Sequence, residues 1–207
     1  MTLAAWLALA GVCVLGAVSP GPSLAVVVRH SVRRSRAHGL AAALAHALGV
    51  GVYALLTTLG LAAVVTADPL VYHGLALAGA AYLAWLGIGA LRSGGAALEG
   101  AAGATVPVGV AGAARDGFLM AFLNPKIAVF FLALFSQFVH ADMGVAEVGV
   151  FWATATVVDG GWYALVATAL TRGRVLAWLR GHALWVDRLT GVVLLVLAAV
   201  TLTRVLS

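Results

Sequence analysis

Residues 117–139 read GFLMAFLNPKIAVFFLALFSQFV, an apolar run of 23 residues broken near its middle by Asn124-Pro125-Lys126. About 20 apolar residues suffice for a helix to cross a bilayer. A proline inside a helix removes a backbone donor and clashes with the carbonyl one turn back. In lipid, the freed groups must find partners in protein or in a wet cavity. The stretch therefore predicts a membrane helix interrupted at a polar site. Five further apolar runs flank it, at about 3–28, 40–66, 70–91, 145–170 and 188–206.

The composition agrees. The chain of 207 residues is 63% hydrophobic and 9% charged, with a mean hydropathy of +1.08. A soluble domain carries ~25% charged residues, so a water-soluble enzyme is excluded. Disorder, which requires low hydrophobicity, is excluded too. Six spans with short loops fill the length as one membrane domain, 1–207. The first apolar run has no Lys or Arg before Arg29, so it lacks the basic segment of a signal peptide and is expected to be a retained helix. Cys13 is the only cysteine, and no intrachain disulfide can form.

The net charge of +5 raises the question of nucleic acid. The basic residues, however, fall in short breaks between apolar runs, without interleaved aromatics. Membrane topology explains them, and no nucleic-acid partner is expected. Break one holds Arg29, Arg33, Arg34 and Arg36; break three, a Gly/Ala-rich linker at about 93–116, is flanked by Arg92 and Arg115. Break five holds Arg172, Arg174, Arg180 and Arg188, and is either a basic loop or a short interfacial helix. Break two, a tight turn at Asp68-Pro69, and break four, around His140, Asp142 and Glu147, hold no Lys or Arg. The positive-inside rule places breaks one, three and five in the cytoplasm and both termini outside.

The two halves echo one another. Span 1 contains Ser19-Pro20-Gly21-Pro22-Ser23 where span 4 contains Asn124-Pro125-Lys126. Span 2 contains Gly51-Val52-Tyr53-Ala54-Leu55 where span 5 contains Gly161-Trp162-Tyr163-Ala164-Leu165. Three spans per repeat invert the second relative to the first, as in many secondary transporters. The expected plan is an all-α integral membrane protein of two inverted three-helix repeats. Repeat one covers about 1–92 and repeat two about 117–207.

Ionisable groups deep in a membrane are costly and persist where they face a cavity or a partner. Lys126, the only lysine, and Asp159 stand out. A carboxylate at that depth can take up and release a proton, so Asp159 is the candidate proton-coupling group, ion-paired with Lys126 in one state. Thr156, Asp159 and Tyr163 share a face of span 5, as His46, Gly49, Tyr53 and Thr57 share a face of span 2. These stripes line a polar path or serve helix–helix hydrogen bonds. Broken helices add free N–H and C=O groups whose partial charges suit a carboxylate and a cation. The candidate substrate pathway is Pro20, Gly21, Pro22, Asn124, Pro125, Lys126, Tyr53 and Tyr163. No HxxxH or acidic cluster suggests a metal site, and no cofactor is expected. A membrane-embedded enzyme built on Asp159, Lys126, His46 and Tyr53 is the rival from another class. The Ala76-xxx-Ala80-xxx-Ala84 face permits close packing, against this chain or a second copy in a homo-oligomer.

Several stretches resemble the LysE-type amino-acid exporters. Residues 19–62, beginning SPGPSLAVVV, are similar to their first half, and LAGAAYLAWLGIGALR at 77–92 to their third span. FLNPKIAVFFLALFSQFV at 122–139 is similar to their fourth span, and TVVD at 156–159 also fits. The pattern looks like the homoserine/homoserine lactone/threonine branch. The resemblance implies a multi-pass protein of the bacterial inner membrane that exports amino acids or close derivatives, energised by protons. It implies Pro20 and Gly21 in one signature and Asn124, Pro125 and Lys126 in the other. An exporter of another small solute or a cation is the alternative within transport. Pro22 and the Gly160-Gly161 pair depart from the pattern and are expected to alter helix geometry near the pathway.

Overall fold

The computed structural model describes residues 1–19, 21–92, 109–169 and 174–206. These form eight helices: α1 Leu3–Val18, α2 Pro22–Arg33, α3 Arg36–Ala67, α4 Pro69–Arg92, α5 Val110–Phe122, α6 Pro125–Phe135, α7 Val145–Ala169 and α8 Arg174–Leu206. No strand occurs among the described residues. Stretches of α3, α4, α7 and α8 are each long and apolar enough to cross a membrane. The pairs α1–α2 and α5–α6 are each apolar enough to do so together, bent by 59° and 52°. Counting each bent pair as one span gives six. Each half of the chain then runs as a bent pair followed by two long helices.

Local chemistry sets the boundaries. The Thr2 hydroxyl accepts from the Ala5 N–H at the start of α1, and the Ser35 hydroxyl accepts from the His38 N–H at the start of α3. Asp68 Oδ1 accepts from the Leu70 and Val71 N–H groups at 2.9 and 3.1 Å, which caps α4 and makes the tight α3–α4 turn. Pro22, Pro69 and Pro125 each open a helix, where the missing N–H costs nothing.

Two expected breaks are shorter than the composition suggests. Residues 110–116 belong to α5 rather than to the linker, because Ala111, Ala113 and Ala114 are good helix formers and Ala113 is buried against neighbouring helices. Residues 93–108 of that linker, and Leu170 to Gly173 in break five, lie outside the described residues. From Arg174 the backbone is helical without interruption to Leu206. The basic segment is therefore the first part of α8, not a separate interfacial helix. α7 is helical without interruption through the double glycine, and a Cβ on Gly160 would meet the Ala47 Cβ of α3 at 3.1 Å.

α3 is the central helix, packed against α2, α5 and α7, while α4 packs on α8 and α6. Small residues let these helices approach. A Cβ on Gly117 of α5 would come within 2.1 Å of the Ala42 carbonyl oxygen of α3. Gly87 and Gly191 meet backbone to backbone between α4 and α8, where a Cβ on either would lie 2.9 or 2.7 Å from the other's carbonyl. Ala76 and Ala80 are buried within the chain itself, so the small-residue face of α4 serves this bundle. At the α3–α4 turn end of the bundle, Phe131, Phe135 and Phe151 form edge-on contacts at 5.1 and 5.0 Å, joined by Phe138. The Tyr72 hydroxyl donates to the carbonyls of Ser136 and Val139 beside them. Leu44, Leu48, Leu56 and Leu59 remain outward-facing on α3, as a lipid-facing surface requires.

Candidate functional site

The two helix breaks are built differently. At the second, Asn124 accepts from the Lys126 N–H through Oδ1 at 3.0 Å, and its carbonyl accepts from Ile127 and Ala128. The start of α6 is thus satisfied by its own cap. At the first, Gly21 precedes Pro22 with an extended backbone and offers no capping side chain to α2. A Cβ on Gly21 would meet nothing within 4 Å. Space, not backbone strain, is what glycine preserves there. An uncapped first turn leaves N–H groups and a partial positive charge facing that space.

Both breaks open on one cavity of about 440 Å³, within the ~300–1,000 Å³ range of small-molecule sites. Of the residues expected in the pathway, Gly21, Pro22, Asn124, Lys126 and Tyr163 line it, together with Asp159. Pro20 lies outside the described residues, and Pro125 is the first residue of α6. Tyr53 does not line the cavity. Its hydroxyl donates to the Phe122 carbonyl at 2.7 Å and its ring lies over Phe122. It satisfies a carbonyl left free at the broken end of α5, so its role is to hold the break. Tyr163 packs in one buried cluster with Leu24, Val27 and Val28 of α2. Tyr53 and Tyr163 thus each reach the bent pair of the other half of the chain.

The expected Lys126–Asp159 ion pair is not formed here. Asp159 Oδ2 lies 2.8 Å from Nδ1 of His46, a residue whose nearest acid in sequence gave no hint of the pairing. His46 is almost fully buried, and its ring stands edge-on to Tyr163 at 4.9 Å. Lys126 instead shares the cavity wall with Asp187 of α8, a buried carboxylate. Asp187 sits in RGHALWVDRL, where neighbouring basic residues disguise the beginning of an apolar helix as a loop. Two polar atoms of cavity-lining residues are buried without a hydrogen-bond partner, His46 Nε2 and Thr190 Oγ1. Among the described residues there is no group of three or more His, Cys, Asp or Glu placed to hold a metal ion.

Away from the cavity, Arg29 and His30 of α2 both reach Asp116 Oδ2 of α5, at 3.3 and 3.1 Å. This cluster ties α2 of one bent pair to α5 of the other.

A family model described as LysE type translocator matches residues 14–204. An uncharacterized membrane protein of Pseudomonas aeruginosa is 37% identical over 166 residues, covering 78% of this chain and 76% of its own. The threonine efflux protein of Escherichia coli is 30% identical over 191 residues, 90% of this chain and 91% of that protein. The homoserine/homoserine lactone efflux protein of Salmonella typhimurium is 29% identical over 182 residues, covering 87% and 86%. No solved structure matches the chain.

Proposed function

The chain belongs to the LysE-type translocator family, and from that premise we propose that it exports small neutral amino acids or close derivatives, of the threonine or homoserine type, across the bacterial inner membrane in exchange for protons. One observation carries the reading. A single cavity gathers both helix breaks, Lys126, and the buried carboxylates Asp159 and Asp187. A zwitterion is complementary to such a wall: its carboxylate fits the uncapped start of α2 and Lys126, and its ammonium fits the aspartate side.

The basic residues supply direction. With Arg33, Arg34, Arg36, Arg92 and Arg115 in the cytoplasm, both termini lie outside. The bent pair and two long helices of each half then form inverted repeats. Arg92 and Asp187 mark the cytoplasmic side of the cavity, and the Phe131–Phe135–Phe151 cluster covers the opposite side. In this arrangement the amino acid approaches from the cytoplasm. Asp159, near the middle of α7 and paired with His46, is the carboxylate of the proton-coupling site.

Uptake of labelled threonine and homoserine into inside-out vesicles tests the proposal. Uptake that requires an imposed proton gradient and collapses with an uncoupler is expected. Absence of uptake of either compound, in vesicles shown to contain folded protein, would contradict it.

A further inference from the structure

We propose that the substrate's ammonium group and the coupling proton compete for one atom, Nε2 of His46, with Asp159 behind the ring as the orienting carboxylate. The proposal rests on the export reading above and names the atom at which the exchange occurs. An ionised carboxylate only accepts hydrogen bonds. The 2.8 Å contact therefore makes Nδ1 of His46 the protonated nitrogen, donating to Asp159 Oδ2. Nε2 is left as a bare acceptor. It is buried and has no partner, on a residue 1% exposed that lines the cavity. A buried acceptor is normally paired, so an unpaired one on a cavity wall marks the place of an absent donor. Tyr163 holds the ring edge-on and is itself packed against Leu24, Val27 and Val28 of α2.

The surrounding charges leave that role to His46. The cavity's other titratable or charged groups are Cys13 of α1, Arg92 of α4, Lys126 of α6, Asp159 and Tyr163 of α7, and Asp187 of α8. None of them is hydrogen-bonded to Nε2. α2 contributes the Ser23 hydroxyl, while its Arg29 and His30 turn to Asp116 of α5. When Nε2 is bare it accepts from an ammonium. When it takes a proton, the ring becomes a cation with both N–H groups donating, and an ammonium is repelled. A proton arriving from outside thus displaces the amino acid, and loss of that proton to the cytoplasm restores the acceptor. One proton then moves inward for each amino acid moved outward.

Two measurements on the full-length reconstituted protein test this. The first is threonine binding as a function of pH, with proton release followed in weak buffer. The wild type is expected to bind threonine more weakly as the pH falls, and to release close to one proton per threonine bound when it starts protonated. His46→Gln, which keeps a polar side chain, is expected to bind more weakly without proton release and to exchange threonine at a reduced rate. Wild-type-like proton release from His46→Gln would overturn the proposal. The second needs no ligand: nitrogen-15 histidine NMR, with His46 assigned by its loss in His46→Gln and, as a second variant, His46→Asn. The expected result at neutral pH is a protonated Nδ1 and a bare Nε2; a protonated Nε2 there would overturn the proposal. A wild type that binds no amino acid at any pH would instead sink the export reading, and the tautomer would still be decided.

Discussion

His46 and Asp159 stand 113 residues apart in the chain and 2.8 Å apart in space, joined across α3 and α7 at the wall of the cavity. The pair links the two halves of the molecule through buried polar atoms, so it contributes to stability. A hydrogen bond to a charged group contributes about 1.5–3 kcal/mol. A double-mutant cycle with His46→Ala and Asp159→Asn, read by reversible detergent-denaturant unfolding, is expected to return a coupling energy of that size. Additive single effects would show the two side chains to be independent.

Gly21 and Gly117 have opposite surroundings. Around Gly21 a Cβ meets nothing, whereas at Gly117 it would lie 2.1 Å from the Ala42 carbonyl oxygen. Gly21→Leu is therefore expected to leave the melting temperature within a degree or two and reduce transport at least tenfold by filling the cavity. Gly117→Leu is expected to force α3 and α5 apart and lower the yield of folded protein, at a cost of about 1–3 kcal/mol or more. Thermal unfolding and vesicle uptake on the same preparations separate the two outcomes.

The membrane helices and both broken spans are legible in the sequence because hydropathy and proline act locally. The runs at 40–66, 70–91 and 145–170 match α3, α4 and α7 to within a few residues. The site is less legible because its pairings are long-range. Asp159 stands out as an acid in an apolar run, but nothing near it names His46. Asp187 is hidden by Arg180 and Arg188, which make the start of α8 read as a loop. Tyr53 shares a helical stripe with His46, yet seven residues is close to two turns, and small offsets turn one toward Phe122 and the other toward Asp159.

Tyr53→Phe removes one hydroxyl and leaves the Phe122 carbonyl unpaired at the break between α5 and α6. The bond lies at an exposed position, and a typical hydrogen bond contributes about 0.5–1.5 kcal/mol. The expected result is a lower unfolding midpoint with unchanged threonine affinity, since Tyr53 is outside the cavity. A selective change in affinity with stability unaltered would return Tyr53 to the substrate pathway.

Lys126 and Asp187 are assigned to opposite ends of the same zwitterion. Lys126→Ala and Asp187→Asn are each expected to raise the half-saturating threonine concentration about tenfold, equivalent to ~1.4 kcal/mol. A control of similar size that lacks the charge at one end of the zwitterion should lose its sensitivity to the matching substitution. Threonine methyl ester tests Lys126, and equal sensitivity of ester and acid to Lys126→Ala would contradict the assignment.

The most direct measurement compares two activities of Asp159→Asn in proteoliposomes: exchange of threonine at equal concentrations across the membrane, and its accumulation against a concentration gradient under an imposed pH gradient. The wild type is expected to do both, and the asparagine variant to exchange threonine while failing to accumulate it. Accumulation by Asp159→Asn at the wild-type level would contradict a coupling role for this carboxylate.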